Sequence, residues 1–237
     1  MAYEYVSRVH YDDIDRHLSL SLRGAIRQMQ EAAAVDSGRC GYGLKDIPRT
    51  RVVWAVVEWR VRLLEQCSWA EHIRVRTWPK SMERAIGERN FEILDDREAR
   101  VAVGESKWIL INADTGRAAC ITPEIAQAYD LEAREVFEEP TDLQPPQTRE
   151  LAFSYTPMRR DIDTNGHVNN LVYLDLACQA LPDDVYSSRF SEVSLRFFRE
   201  VKFGDEIQCF YAKKNGRHFA EILNRDGTVR HALVVLQ

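Results

Sequence analysis

The chain has 237 residues, 45% of them apolar, 29% charged and 10% aromatic, with a net charge of −5. That apolar and aromatic content excludes a disordered polymer, no stretch approaches the ~18 consecutive apolar residues of a membrane span, and the acidic balance argues against nucleic acid, which favours a basic domain. Five widely spaced cysteines without a C-x-x-C pair, and an N-terminus without a basic run followed by an apolar one, predict a reduced, cytoplasmic protein with no disulfide framework. In chain order, Asp13-Ile14-Asp15-Arg16-His17 comes first. Leu22, Ala25, Ile26, Met29 and Ala33 then fall on one face of a helix that Gly38 is expected to stop. Val57, Trp59, Val61 and Leu63 alternate with Glu58, Arg60 and Arg62 as a strand ending at Glu65. Glu71-His72-Ile73 and Glu92-Ile93-Leu94-Asp95 open and continue later strands, and Asn112 to Gly116 reads as a turn.

Residues 122–150 read as a linker. It opens with Thr122-Pro123-Glu124, in which Thr caps a helix and Pro takes its first turn, and closes with the acidic, proline-rich stretch Glu138 to Pro146, expected as a surface connector. Beyond it the same landmarks return in the same order. Asp161-Ile162-Asp163 repeats Asp13-Ile14-Asp15 at a separation of 148 residues (163 − 15). An apolar helix follows over Leu171 to Leu181, stopped by Pro182. Val193, Leu195 and Phe197 alternate up to Glu200, and Asp205-Glu206-Ile207 and Glu221-Ile222-Leu223-Asn224 mirror the later strands, with Arg225-Asp226-Gly227 as a hairpin turn. Ordered recurrence of this kind implies internal duplication. Each unit, residues 1–121 and 151–237, is then an α+β layer pair in which an antiparallel sheet wraps one long central helix.

The nucleotide and hydrolase signatures G-x-G-x-x-G, G-x-x-x-x-G-K, G-x-S-x-G and H-E-x-x-H are all absent. His10, His17, His72, His218 and His231 have no metal-ligand spacing, so neither metal nor cofactor is expected. What remains is the cluster Asp163-Thr164-Asn165-Gly166-His167-Val168-Asn169-Asn170 at a helix entrance. Asp, Asn and Gly there satisfy a turn and an N-cap by themselves. The first copy, however, makes its turn with Asp15-Arg16-His17-Leu18, read as lacking an Asn-Gly insertion, so the turn alone does not demand Thr164-Asn165-Gly166.

Asp161 to Asn170 resembles the D-x-N-x-H-V-N-N signature of acyl-acyl carrier protein thioesterases, and Trp69-Ala70-Glu71 to Thr77-Trp78 and Ser106 to Thr115 resemble that family's first-domain strands. The resemblance implies a tandem double hot-dog fold, hydrolysis of fatty acyl thioesters of acyl carrier protein, and catalytic positions Asp163, Asn165, His167 and Glu200. Thioester hydrolysis requires a base for water, donors for an oxyanion and an apolar bed for the acyl chain. Asp163 is read as general base or water-orienting group, Asn165 as a holder of water or carbonyl, and His167 as a proton donor or acceptor near neutral pH. Unpaired amides from Val168 to Asn170, with Asn169 and Asn170 as substrate-binding residues, are expected to polarise the carbonyl. Met29 and Ala33 are expected to line or cap the acyl pocket of the first unit.

Strict alternation places Glu200 on the face of Ser194 and Arg196, so either that face lines the site or a bulge shifts the register. Plant members carry R-R-E-C where this chain has Phe198-Arg199-Glu200-Val201, which removes a cysteine nucleophile there and leaves water attack. The first copy, read as keeping Asp15, His17 and Glu65 without Asn-Gly, is expected to be non-catalytic. Arg159-Arg160, Arg196, Arg199, Lys202 and Lys213-Lys214 are expected near the site as a docking surface for an acidic carrier protein. Alternatives are an acyl-coenzyme A thioesterase and a non-catalytic acyl-thioester sensor, and the chain is expected as a monomer with an internal pseudo-dimer or as a homodimer.

Overall fold

Period-2 runs become strands and the 3.6-period run becomes a helix in the first unit: β1 (Tyr3–Arg8), α1 (Leu22–Arg39), α2 (Ile47–Thr50), β2 (Val52–Leu63), β3 (His72–Glu83), β4 (Ile86–Leu94), β5 (Arg100–Asn112) and α3 (Pro123–Gln127). The structure, a computed structural model, describes residues 2–237 and divides into Met1–Pro140 and Thr141–Gln237. In the first unit the strands pair antiparallel in the order β1-β3-β4-β5-β2. Ser21 caps α1 by accepting the Gly24 N–H at 3.0 Å. The apolar face of α1 then buries Ala25, Ile26, Met29 and Ala33. Met29 lies directly on β5, where a side chain at Gly104 would come within 2.6 Å of its sulfur. Trp59 and Phe91, fully buried with centroids 5.1 Å apart, extend this core. Each such side chain contributes roughly 1.5–3 kcal/mol on burial.

Gly38 does not stop α1. The helix runs to Arg39 with Cys40 as its C-cap, and the left-handed residue is Gly41 at φ +81°. The chain then folds back so closely that a side chain at Gly43 would meet the Gly38 backbone.

The connector is less free than its composition predicts. Thr122 caps α3 as expected, accepting the Ile125 N–H at 3.3 Å. Ile125, Tyr129 and Phe137 are buried, and Arg134 lies 3.7 Å above the Trp78 ring. The Arg134 carbonyl accepts both the Trp78 indole N–H and the Asn90 amide. Arg60, expected on a polar face, is buried under Phe137 and donates to the Glu139 carbonyl at 2.6 Å. The chain up to Pro140 therefore belongs to the first unit. Apolar residues scattered one at a time among charges carry no periodic signal, which is why this strap reads as linker.

The second unit contains β6 (Glu150–Tyr155), α4 (Asn170–Gln179), α5 (Asp183–Tyr186), β7 (Glu192–Phe197), β8 (Ile207–Lys214), β9 (Arg217–Asn224) and β10 (Arg230–Leu236). Its antiparallel order, β6-β8-β9-β10-β7, reproduces the first unit strand for strand. The helices differ. α1 has 18 residues and α4 only 10, so a long helix is found in the first unit alone. α4 buries Leu171, Tyr173, Leu174, Leu176 and Ala177 over its sheet. Among the described residues no helix is long and apolar enough to cross a membrane.

Candidate active site

α4 begins at Asn170, one turn beyond the second Asp-Ile-Asp motif, and that motif's carboxylates build the entrance. Asp161 is buried; its Oδ2 accepts the Met158 N–H at 2.6 Å and the Tyr155 hydroxyl at 2.7 Å, and its carbonyl accepts the Asn169 N–H at 2.8 Å. Two residues on, Asp163 Oδ1 accepts the N–H groups of Asn165 at 2.8 Å and of His167 at 3.3 Å, while Oδ2 receives the Asn165 amide at 3.4 Å. Gly166, at φ +80°, lets the turn close so that the Asp163 N–H donates to the His167 carbonyl at 2.8 Å. Asp163 thus grips both Asn165 and His167.

Glu200 arrives from the other side. β7 ends at Phe197, and the N–H groups of Phe198 and Arg199 both donate to the His231 carbonyl, at 2.8 and 3.4 Å. Two residues face one, as in a bulge, and strand alternation no longer governs Glu200. Of the two routes by which Glu200 could enter the site, the register shift is the one observed. The next residue closes the frame: the Val201 carbonyl accepts the Val168 N–H at 2.8 Å, and His167 bridges to Lys202. Glu200 Oε2 then stands 3.4 Å from His167 Nε2 and Oε1 stands 3.5 Å from Lys202 Nζ. With side chains 34% (His167) and 53% (Glu200) exposed, the pair is open to water. Behind it, burial pushes the Tyr173 phenol above its ordinary range.

The four expected catalytic residues come together, with His167 between the two acids: its backbone on Asp163, its ring on Glu200. The expected row of unpaired amides is shorter. The Val168 and Asn169 N–H groups are taken by Val201 and Asp161, and the Leu171 N–H by the Asn169 side chain at 2.9 Å. The Asn169 oxygen is therefore an N-cap, and the Asn170 N–H is the one donor of the trio without an acceptor among the described residues. Met29 and Ala33 are buried in the first unit. Lys202, expected only as a docking charge, also pairs with Glu200, and Asp161, expected only as part of the repeated motif, holds the entrance through Tyr155 and Met158.

The first copy requires two corrections. Asp15 Oδ1 accepts the N–H groups of His17 and Ser19, at 2.8 and 3.2 Å, Leu18 has φ +58°, and the Leu20 N–H donates to the Cys67 carbonyl at 2.7 Å. The two turns are the same length. His17 holds the place of Asn165, Leu18 that of Gly166 and Ser19 that of His167, so the copies differ by substitution and not by an Asn-Gly insertion. The Leu64 and Glu65 N–H groups share the Val101 carbonyl, at 2.9 and 3.3 Å, as Phe198 and Arg199 share that of His231. Gln66, not Glu65, is therefore the counterpart of Glu200. Of the four positions the first copy keeps only Asp15. His17 and Glu65 each lie within two residues of the true counterpart, and only hydrogen-bond register separates them.

The basic cluster is also smaller than expected. Arg159, Arg160, Arg199 and Lys202 are exposed on the segments that carry the site. Lys213 and Lys214 end β8, whose start at Ile207 is the site end, and about 3.3 Å per strand residue puts them at the opposite edge. Arg159 lies 5.1 Å from the ring of exposed Phe203, and Arg230 5.5 Å from that of exposed Phe198.

A helix against an antiparallel sheet, twice in one chain with matching strand order and an acid–imidazole cluster at the second helix mouth, defines the double hot-dog class. The chain belongs to the acyl-ACP thioesterase family: that family's N-terminal domain matches residues 2–129 and its C-terminal domain residues 145–231. It is 26% identical over 174 residues to oleoyl-acyl carrier protein thioesterase 2, chloroplastic, of Arabidopsis thaliana, covering 67% of this chain and 47% of that protein. It is 22% identical to the dodecanoyl-[acyl-carrier-protein] hydrolase, chloroplastic, of Cinnamomum camphora, covering 84% of this chain and 56% of that protein. The chain thus spans about half the length of these relatives. Solved structures share its fold: an acyl-ACP thioesterase from Bacteroides thetaiotaomicron, with a TM-score of 0.87 at 21% identity over 99% of this chain and 96% of that one, and the 12:0-ACP thioesterase of Umbellularia californica, with 0.85 at 19% over 100% and 96%.

Proposed function

We propose that this chain hydrolyses fatty acyl thioesters of acyl carrier protein at the cluster on α4, with Glu200 and His167 as the reacting pair. The observation that carries this is the 3.4 Å approach of His167 Nε2 to Glu200 Oε2 at a water-accessible position. Asp163 has a different task. Both of its oxygens are engaged by the turn, so it orients Asn165 and His167 and does not act as a free base. Water adds to the thioester carbonyl carbon as its proton passes to the Glu200–His167 pair. The oxyanion is met by the Asn170 N–H at the N-terminus of α4 and by the second N–H of the exposed Asn165 amide, whose other N–H is held by Asp163. Collapse breaks the carbon–sulfur bond, and the departing thiolate takes the proton from the same pair. Free acid and carrier thiol result. Val201, fully buried and without a nucleophilic atom, fits water attack in preference to a covalent enzyme intermediate.

The test is thiol release from acyl thioesters of carrier protein and of coenzyme A, across chain lengths. Glu200→Gln is expected to lower kcat by roughly 10²–10⁴ with the fold intact. Binding of acyl thioester by the wild-type chain without thiol release would replace this reading by that of a sensor. Faster turnover of coenzyme A thioesters would make those the substrate.

A further inference from the structure

Glu200 lies in a strandless stretch between Phe197 and Ile207, which by itself would leave a catalytic carboxylate loose. Two buried side chains hold the peptides on either side of it. On the N-terminal side, His231 Nδ1 is 3.2 Å from the Arg199 carbonyl oxygen, and the His231 carbonyl accepts the Phe198 and Arg199 N–H groups. Both polar atoms of the Arg199 backbone are thus engaged by one residue of β10. A carbonyl oxygen only accepts, so Nδ1 carries the proton in this arrangement. On the C-terminal side, the buried Tyr173 phenol of α4 is influenced by the Val201 backbone. The Tyr173 ring also packs edge-on against Phe197, with centroids 5.4 Å apart, which ties the last residue of β7 to the far end of the same stretch.

The first copy supplies an internal control. Its bulge has the same backbone hydrogen bonds, but the place of His231 is held by Val101, whose carbonyl receives Leu64 and Glu65. In the turn-and-helix register that sets Asp15 against Asp163, the place of Tyr173 is held by Ala25, buried in the core. Neither side chain bears a polar atom. The copy with Glu200 has both supports; the copy with Gln66 has neither.

We infer that His231 is a positioning residue for Glu200, with Tyr173 as the second support. The inference rests on the catalytic reading of Glu200 proposed above. His231→Val, which installs the first copy's solution, is expected to lower kcat roughly ten- to hundredfold, with KM changed less than about threefold. His231→Asn, whose amide nitrogen reaches the same carbonyl, is expected to restore most of the rate. Tyr173→Phe, which keeps the ring and loses the oxygen, is expected to lower kcat less than His231→Val does. Tyr211→Phe, which removes a hydroxyl bonded to His218 in the same unit, leaves kcat unchanged. In a Glu200→Gln background His231→Val adds nothing further, because it acts through the group already removed. Additive losses in that background, or a His231→Val chain of undiminished kcat, overturn the inference. Full activity of Glu200→Gln alone would instead overturn the catalytic reading. Nitrogen-15 shifts of the wild-type imidazole test the geometry without any variant: a proton on Nδ1 is required, and the Nε2–H tautomer is fatal to it.

Discussion

The two copies share a backbone and differ in chemistry. Asp15 and Asp163 each cap the same turn through the same two amides, and Val101 and His231 each receive two successive N–H groups at the same bulge. What differs is the side chains on that frame: His17, Ser19 and Gln66 in one copy, Asn165, His167 and Glu200 in the other. The turn and bulge are therefore structural devices of the unit, present whether or not chemistry follows. The proposed chemistry depends on what is mounted on them. An aspartate at the head of such a motif is evidence of a turn first, and evidence of a base only when its oxygens are free.

The comparison can be broken most severely by exchanging residues between the copies. His167→Ser, which imposes the first copy's residue, is expected to lower thiol release by about 10² or more, whereas Ser19→His leaves it unchanged. A comparable loss from Ser19→His would mean that the first turn also takes part in the reaction. Next in size is the substrate surface. Arg160→Glu combined with Arg199→Glu is expected to lower kcat/KM on carrier protein thioesters about tenfold at low salt, while a short coenzyme A thioester is hydrolysed at the wild-type rate. Equal losses on both substrates would remove the docking role. Smaller still is the effect of the shared aspartate in the first copy. Asp15→Ala leaves two N–H groups uncapped and is expected to cost about 1–2 kcal/mol in urea unfolding with kcat preserved. Asp163→Ala is expected to lose comparable stability and activity together. The finest test is the left-handed residue. Gly166→Ala is expected to destabilise by ~1 kcal/mol, while Leu18→Gly relieves strain at φ +58° and stabilises or is neutral. Thermal unfolding should fall for Gly166→Ala and should not fall for Leu18→Gly.

The residues that converge were visible as a cluster because they are local: Asp163, Asn165 and His167 span a single turn. Glu200 was reached only through resemblance, since strand alternation pointed its side chain to the wrong face, and the bulge that re-aims it is set by a partner strand. His231, dismissed as a histidine without ligand spacing, acts through one ring nitrogen on a carbonyl distant in sequence, a contact that no motif records.

The amino-acid sequence by itself determined the duplication, the α+β units with their recurring helix and strand landmarks, and the turn at the second helix mouth, because periodicity, caps and turn residues are local properties written into consecutive positions. Only the tertiary structure decided which first-copy residue answers to which, that the acidic connector is a strap buried on Trp78 and Arg60, and that Glu200 meets His167. Each of these depends on hydrogen-bond register between segments far apart in the chain, where a shift of one residue exchanges one side chain for its neighbour.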